Sequence, residues 1–326
     1  MKKIFRALVT ILFLFSSISQ GWCEPDSNQA QVREGQAYQK PRLLDFARKF
    51  PGDMKEFGKS AVDKKNIPVV VGVIGATSLL FIFDQRLVNA SQELGNDLRI
   101  SRANNQKTLF SIPLGGKSKF NFDGPFDSGS ALYFIGDGWM SVFLAGGLLT
   151  YGLTNSDNRA LQTSSEIAES VLAAGTVAQV LKHVTGRGSP FTTRESGGDW
   201  RFFPNQRSYQ AHVAAYDAFP SGHLTASMAT LTVVAENYSE HHWIRPVGYT
   251  MFAILGFQML NNGVHWASDY PLALALGYTF GRIATRRGRT PHETSSLTLL
   301  PVLSNGTYGG VAIYRFAGTP SKTRRS

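Results

Sequence analysis

Three short segments of the chain carry side chains that can exchange protons, attack an electrophile or bind an anion. They occupy residues 182–190, 220–223 and 263–269. The second and third each contain a histidine, the side chain whose charge changes most readily near neutral pH. The first opens with a lysine and adds an arginine. This combination predicts acid–base or nucleophilic chemistry on an anionic substrate.

The second segment reads Pro-Ser-Gly-His, from Pro220 to His223, and opens a predicted helix. A helix N-terminus presents free N–H groups and the positive end of the helix dipole, and both attract an anion. Gly222 lets the backbone approach that anion closely, Ser221 can cap the helix or donate to the anion, and His223 projects beside it. An ordinary helix cap with a nearby histidine is the alternative interpretation.

In the third segment, His265 and Asp269 are four residues apart and would share one face of a helix. A carboxylate against one imidazole nitrogen fixes the tautomer and raises the basicity of the other nitrogen, as a nucleophile or general base requires. A buried histidine satisfied by an acid is the simpler alternative. A metal site would need further ligands; His183 and His212 are candidates, but no recognised metal spacing links them.

Lys182 and Arg187 place positive charge where a helix ends and a long loop, residues 185–219, begins. Loops of that length inside a compact domain are usually functional. Either residue alone is also compatible with a solvated or snorkelling helix end.

Taken together, the segments resemble the PAP2 (phosphatidic acid phosphatase type 2) and haloperoxidase superfamily over residues 130–285. The motifs of that superfamily are Lys-x6-Arg-Pro, Pro-Ser-Gly-His and Ser-Arg-x5-His-x3-Asp. All three occur here in the expected order, and the middle one matches fully.

The resemblance implies a mechanism that needs no metal or other cofactor. His265 would attack phosphorus and form a phosphohistidine, with Asp269 orienting it, and His223 would protonate the leaving oxygen. Lys182 and the backbone around Ser221 and Gly222 would hold the phosphoryl oxygens, where charge must be stabilised.

Two motif arginines are absent, because Ser189 and Met259 stand in their places. Neither side chain can bind a phosphate bidentately, and the loss of one such group can lower the rate on the order of 10²-fold. Arg187 could replace them, and the same loop also supplies Arg194, Arg201 and Arg207. The alternatives are a different phosphorylated substrate or a degenerate member that binds without turnover.

The elements that must position these residues are predicted to be helices. The pattern favours an all-α bundle of about six core helices, with apolar stretches at residues 67–83, 131–153, 164–183, 222–237, 246–260 and 265–285. The third of these has a capping pattern at residues 165–169. Residues 85–130 are mixed, with turn signals at residues 115–116 and 123–125.

The two ends of the chain differ from this core. Residues 1–23 resemble a secretory signal peptide, and residues 24–66 form a polar tether with one short helix near residues 43–50. After a helical domain over residues 67–290, residues 291–326 alternate around Ser304-Asn305-Gly306 and end in a basic tail, which predicts a short β-hairpin. Cleavage after Cys23 would leave no cysteine for disulfides or thiolate metal sites.

Charge and hydropathy indicate the surroundings. A formal net charge of +10 suits an acidic partner, and the leader disfavours nucleic acid as that partner. Residues 67–83 and 138–156 are uncharged and close to the length of a membrane span, whereas other helices have shorter uncharged runs. We expect membrane association in a bacterial envelope, with a periplasm-facing site in the inner membrane or a soluble periplasmic form.

The predicted function is an active or weakly active extracytoplasmic phosphatase for a phosphomonoester or diphosphate. Its partners would be a phosphorylated lipid or a small phosphoester. Two alternatives remain: a catalytically impaired envelope protein that binds or has a structural role, and a vanadate-dependent haloperoxidase.

Overall fold

The computed structural model describes residues 38–115, 118–193 and 195–289, and the backbone of residues 296–304 and 307–315. The helices are α1 Asp45–Arg48, α2 Phe50–Val62, α3 Ile67–Asp97, α4 Ser128–Phe134, α5 Gly138–Asn155, α6 Asn158–Thr185, α7 Gln206–Ala211, α8 Gly222–Asn237, α9 Ile244–Asn261 and α10 Tyr270–Arg289. Two hairpins consist of β1 Gln106–Gly115 with β2 Ser118–Pro125, and β3 Ser296–Ser304 with β4 Thr307–Arg315. The predicted signal peptide, Arg194 and the basic end of the chain lie outside the described residues.

The helical fold class is confirmed. Helices α6, α8 and α10 all pack against one another, and α5 packs on α6. Helices α3 and α9 complete the side of the bundle that carries the third motif. Six long helices therefore form the core, and the C-terminal hairpin pairs from Ser296↔Arg315 to Ser304↔Thr307. The two residues between these strands, where the turn was predicted, are outside the described part of the chain.

Helices α8 and α10 run in the same direction at very close range. A Cβ atom at Gly277 would collide with the Thr225 carbonyl oxygen, and one at Gly281 would collide with Thr232. At the start of both helices, the Ser221 amide donates to the Asp269 carbonyl at 3.2 Å. Because the helices are parallel, their two positive dipole ends lie side by side at one end of the bundle.

Helix α6 begins earlier than its sequence pattern predicted. The side chain of Asp157 accepts from the amides of Arg159 at 2.8 Å and Ala160 at 3.1 Å, so it caps the helix ahead of the predicted start at residue 164. At the other end, Gly186 adopts a left-handed conformation with φ of 55° and stops the helix directly after Lys182 and its last turn.

The β1–β2 hairpin was not predicted. It occupies the mixed region, and its chain reverses near the predicted turn at residues 115–116. The Phe122 ring stacks on Phe110 with centroids 4.9 Å apart and meets Trp139 of α5 at 5.2 Å. Packing against α5 therefore supports the hairpin.

The polar N-terminal segment is more helical than expected and docks on the core. Phe57 of α2 stacks on Phe280 of α10 with ring centroids 4.8 Å apart. Arg287 pairs with Asp53 at 2.9 Å and donates to the Lys49 carbonyl at 3.0 Å. These contacts differ from the picture of a simple tether.

Helix α3 has two unlike halves. Its second half buries Leu80, Asp84 and Val88 against the bundle, whereas the first half leaves Val71 61 % and Ile74 60 % exposed. Within the described residues, the helical stretch 64–97 is long and apolar enough to cross a membrane, and only 6 % of its most apolar window is buried. Helices α4 and α5, bent by 57° at their break, pass the same test if counted as one span.

Candidate active site

The predicted site residues come together where three helix ends meet. Lys182 lies in the last turn of α6, Ser221 to His223 begin α8, and His265 and Asp269 immediately precede α10. The fold thus brings together residues that are up to 87 positions apart in the sequence, a proximity that the order of the motifs does not by itself establish.

The start of α8 combines a cap with an open backbone. Ser221 is fully buried, its hydroxyl accepts from the Leu224 amide at 3.5 Å, and it contacts the Met259 sulfur at 3.7 Å. Ser221 therefore acts here as the helix cap. Gly222 lies beside the ammonium of Lys182, since a Cβ at this position would be 3.7 Å from Nζ. Its missing side chain leaves room next to that cation.

His265 is held in one tautomer by a backbone carbonyl. Its Nδ1 lies 2.8 Å from the Ala218 oxygen and 3.3 Å from Oδ2 of Asp269. A carbonyl oxygen only accepts, so in the neutral ring Nδ1 carries the proton and the lone pair is on Nε2. His265 is buried, which protects this arrangement from water.

The predicted helical pairing of His265 with Asp269 is wrong in its details, although the two side chains do meet. A 3₁₀ turn, Ala267–Asp269, stands between His265 and α10, which begins at Tyr270. Oδ2 of Asp269 accepts from the Trp266 amide at 2.7 Å and stabilises that turn. A capped turn therefore replaces the first helical turn.

His223 is a neighbour of His265 across the site. The ring centroids of the two histidines are 6.0 Å apart, and the Tyr133 ring lies 4.5 Å from His223. Burial lowers the pKa of His223 to about 3, and the charges of His265 and Lys182 act in the same direction. His223 is therefore neutral at neutral pH.

Lys182 is paired with an acid that the sequence did not reveal. Its Nζ lies 2.8 Å from Oδ2 of Asp217, and Lys182 is buried while Asp217 is partly exposed. Asp217 immediately precedes Ala218, whose carbonyl holds His265. One acid beside a motif is a weak sequence signal, and only the fold shows what it contacts.

Arg187 has a different place from the one predicted for a phosphate ligand. Its guanidinium is fully buried. Nε and Nη2 donate to the Gly197 carbonyl at 3.0 and 2.7 Å, and Nη2 also donates to Asp84 at 2.6 Å. Nη1 donates to the Ser268 hydroxyl at 2.7 Å and to Asp269. These contacts occupy all five N–H donors of the group. The prediction that Arg187 replaces the missing phosphate ligands is therefore corrected.

The other candidate substitutes lie elsewhere or are already engaged. Arg201 is exposed and pairs with Asp199 at 3.0 Å, and Arg207 is exposed on α7. Ser189 and Met259 are both buried, and their neutral side chains offer no cation. Of these candidate cations, Lys182 is the one whose charge lowers the pKa of His223.

Asp84 is the second residue that sequence reasoning missed. It comes from α3 and is fully buried against the turn that carries Asp269. The available signal was an acid at the end of a long apolar stretch, since a charge in such a helix is costly and usually has a partner.

One family model matches the chain. It is described as the PAP2 superfamily and covers residues 165–291, which include most of α6, all of α8 and the third motif but exclude Asp84. Comparisons with curated proteins and with solved structures gave no match.

Proposed function

Because residues 165–291 place the chain in the PAP2 superfamily, we propose that it is a phosphatase acting outside the cytoplasm. Its substrate would be a phosphomonoester or diphosphate, and we favour one that is attached to a lipid. The observation that carries this proposal is the geometry of His265, whose protonated Nδ1 is fixed by Ala218 and Asp269 and whose Nε2 is free.

The proposed reaction has two steps, phosphorylation of His265 and hydrolysis of the phosphohistidine. His223 first takes the proton of the monoanionic substrate. Nε2 of His265 then attacks phosphorus, the bond to the leaving oxygen breaks, and His223 delivers that proton to the leaving oxygen. In the second step His223 takes a proton from water, the water oxygen attacks phosphorus, and the bond to Nε2 breaks. Asp269 stabilises the positive charge that develops on the imidazole of His265 in the first step.

The phosphoryl oxygens would be held by backbone dipoles and one lysine. Lys182 has three N–H donors, one of which is directed at Asp217. The start of α8 contributes free amides next to Gly222, and the parallel start of α10 adds to the positive potential. These groups partly compensate for the two absent arginines.

The exposed apolar surface supports a location at a membrane. The first half of α3 is apolar and largely exposed, and α5 exposes Val142, Leu149 and Leu153 on its outer side. A net charge of +10 would attract the anionic lipids of an envelope. We therefore place the enzyme at the inner membrane, with its site on the periplasmic side.

A specific observation favours a second candidate function. Asp217 neutralises Lys182, and the buried Met259 occupies the place of a cation. A site of this kind could bind a phosphorylated lipid weakly and turn it over poorly, as an envelope binding protein would.

Phosphate release would distinguish the two functions. The purified protein is tested with phosphatidate, undecaprenyl diphosphate and p-nitrophenyl phosphate, together with His265→Ala and the control His241→Ala. His241 is half exposed at the other end of the bundle, so its loss should leave turnover unchanged. We expect His265→Ala to lower turnover on the order of 10³-fold or more.

Trapping of an intermediate completes the test. An acid-labile, base-stable phosphoryl group on the wild-type protein, absent from His265→Ala, would identify the phosphohistidine. No phosphate release from any of the three substrates would instead favour the binding function. Halide oxidation after incubation with vanadate and peroxide would indicate a haloperoxidase.

A further inference from the structure

We propose that Asp84 and Arg187 are positioning residues for the nucleophile, and that helix α3 is therefore part of the catalytic apparatus. Neither side chain touches the substrate in this scheme. They act through Asp269, which orients His265. This inference rests on the proposed function and adds a helix that lies outside the family match.

The charges involved are completely removed from water. Arg187, Asp84 and Asp269 each have no exposed surface. Buried charges are tolerated when each one is paired and hydrogen-bonded, and they are strongly destabilising when one partner is missing. The guanidinium also lies against the rings of Trp200 at 4.8 Å and Trp266 at 5.4 Å. Any rearrangement that separated these charges would leave one of them buried without a partner.

Asp84 bonds to both the turn and the arginine. Its Oδ1 accepts from the Ser268 amide at 2.9 Å, and its Oδ2 accepts from the Ser268 hydroxyl and from Nη2 of Arg187. Nη1 of Arg187 then reaches Oδ1 of Asp269. Helix α3 thereby fixes the turn before Asp269 directly and the carboxylate of Asp269 through Arg187.

The same contacts set the direction of the Asp269 carboxylate. Its Oδ1 is held by Arg187, while Oδ2 accepts from the Trp266 amide at 2.7 Å and faces Nδ1 of His265 at 3.3 Å. If Oδ1 were released, the carboxylate could rotate and Oδ2 would lose its fixed relation to the imidazole. The position of Nε2 at the phosphorus depends on that relation.

Asp84 also changes the net charge of the buried cluster next to His265. Arg187 alone would neutralise Asp269 and weaken its attraction for the imidazolium that forms as Nε2 attacks. With Asp84 included and both carboxylates ionised, the three buried groups carry a net charge of −1, from one arginine and two aspartates. That remaining negative charge faces the ring where positive charge develops. The effect belongs to the transition state, so kcat should change and KM should not.

A structural role for Asp84, as an anchor of α3, is the competing explanation. The chain offers a matched control in Glu236, which is also buried and pairs with Arg245 and Arg282, both at 2.7 Å, near the far end of α8. Glu236→Gln removes the same charge from a comparable ion-pair cluster away from the site. It should lower stability without altering catalysis by the folded protein.

The first test compares kcat and KM on p-nitrophenyl phosphate for the wild type, Asp84→Asn and Glu236→Gln. We expect Asp84→Asn to lower kcat about 10- to 100-fold, as for other outer partners of catalytic groups, while KM stays within about twofold. Glu236→Gln should leave both constants unchanged. Equal kcat for Asp84→Asn and the wild type would overturn the proposal, as would an equal loss in both variants.

A spectroscopic test does not depend on turnover. In ¹⁵N-histidine-labelled protein, the Nδ1–H of His265, assigned by its loss in His265→Gln, should give a downfield proton signal in slow exchange with water. Asp84→Asn should shift that signal upfield or broaden it, and Glu236→Gln should not. A signal unaffected by Asp84→Asn would refute the positioning role. An affected signal in a protein that releases no phosphate would support it while contradicting the proposed phosphatase.

Discussion

The neutral state of His223 leads to a distinctive pH dependence. Its pKa is lowered from 6.5 to about 3, first by burial and then by His265 and Lys182. A lowered histidine pKa means that the ring stays neutral at every pH above about 3, so only about one free molecule in 10⁴ carries a protonated His223 at pH 7. The proton that leaves with the product should therefore arrive with the substrate.

The size of the effect follows from the charges around the ring. Raising the pKa of His223 from about 3 back to 6.5 requires roughly 5 kcal/mol of favourable interaction with the protonated ring, at 1.36 kcal/mol per pKa unit. A phosphoryl group beside the ring can supply this because it is an anion. The other titratable neighbours are Asp217, which pairs with Lys182, and Tyr133, whose pKa burial raises. Tyr133 thus stays neutral over the same range.

A phosphomonoester loses its second proton near pH 6. If the monoanion is the form that brings the proton, kcat/KM should fall about tenfold per pH unit above pH ~6. The assay measures kcat/KM between pH 4 and 9 for p-nitrophenyl phosphate and for an alkyl phosphate whose second pKa is about one unit higher. The descending limb should move by that same unit. A limb at the same pH for both substrates would show that an enzyme group carries the proton, and would refute this reasoning.

Three further predictions follow from single contacts. Asp217→Asn releases Lys182 from its ion pair, so the inhibition constant of inorganic phosphate should fall about tenfold; an unchanged constant would show that Lys182 does not face the anion. Met259→Arg should not restore a phosphate ligand, because the position is fully buried. The free energy of unfolding in denaturant should fall by roughly 3 kcal/mol. Tighter phosphate binding without that loss of stability would contradict this prediction. Phe57→Ala removes the stack on Phe280 and should cost about 2 kcal/mol of unfolding free energy with kcat unchanged, whereas full stability would argue against docking of α2.

Local patterns in the sequence predicted part of this structure well. The start of α8 at Gly222 follows from Pro-Ser-Gly-His, since a cap and a helix start depend on neighbouring residues. The pairing of the two C-terminal strands likewise follows from the alternation on both sides of Asn305-Gly306, a sequence pair typical of a hairpin turn. The two histidines proposed to carry the chemistry, His223 and His265, were identifiable because the motifs that contain them are short and specific.

Contacts between distant segments were not predictable in the same way. Asp84 meets Ser268 across 184 positions, and Lys182 meets Asp217 across 35. No periodicity within one segment encodes such a pair. Arg187 illustrates the consequence: the sequence shows a cation beside the phosphate motif, but only the fold shows that two buried carboxylates occupy it.

Competing local forces explain the remaining differences. Asp157 starts α6 because its side chain accepts two amides, although the apolar pattern begins later. The turn at Ala267–Asp269 replaces a helical turn because Asp269 caps the Trp266 amide. The β1–β2 hairpin is supported by the contact of Phe122 with Trp139 of α5, which lies outside the sequence of the hairpin.

The parallel packing of α8 and α10 has a consequence for how this protein can change over time. The attraction that two helix starts exert on an anion comes from peptide groups, which every residue except proline supplies in full. No substitution of a side chain can delete it as long as Gly277 and Gly281 keep the helices together. Substitutions at positions such as 189 and 259 can therefore change the side chains of the proposed phosphate site without removing this contribution of the backbone.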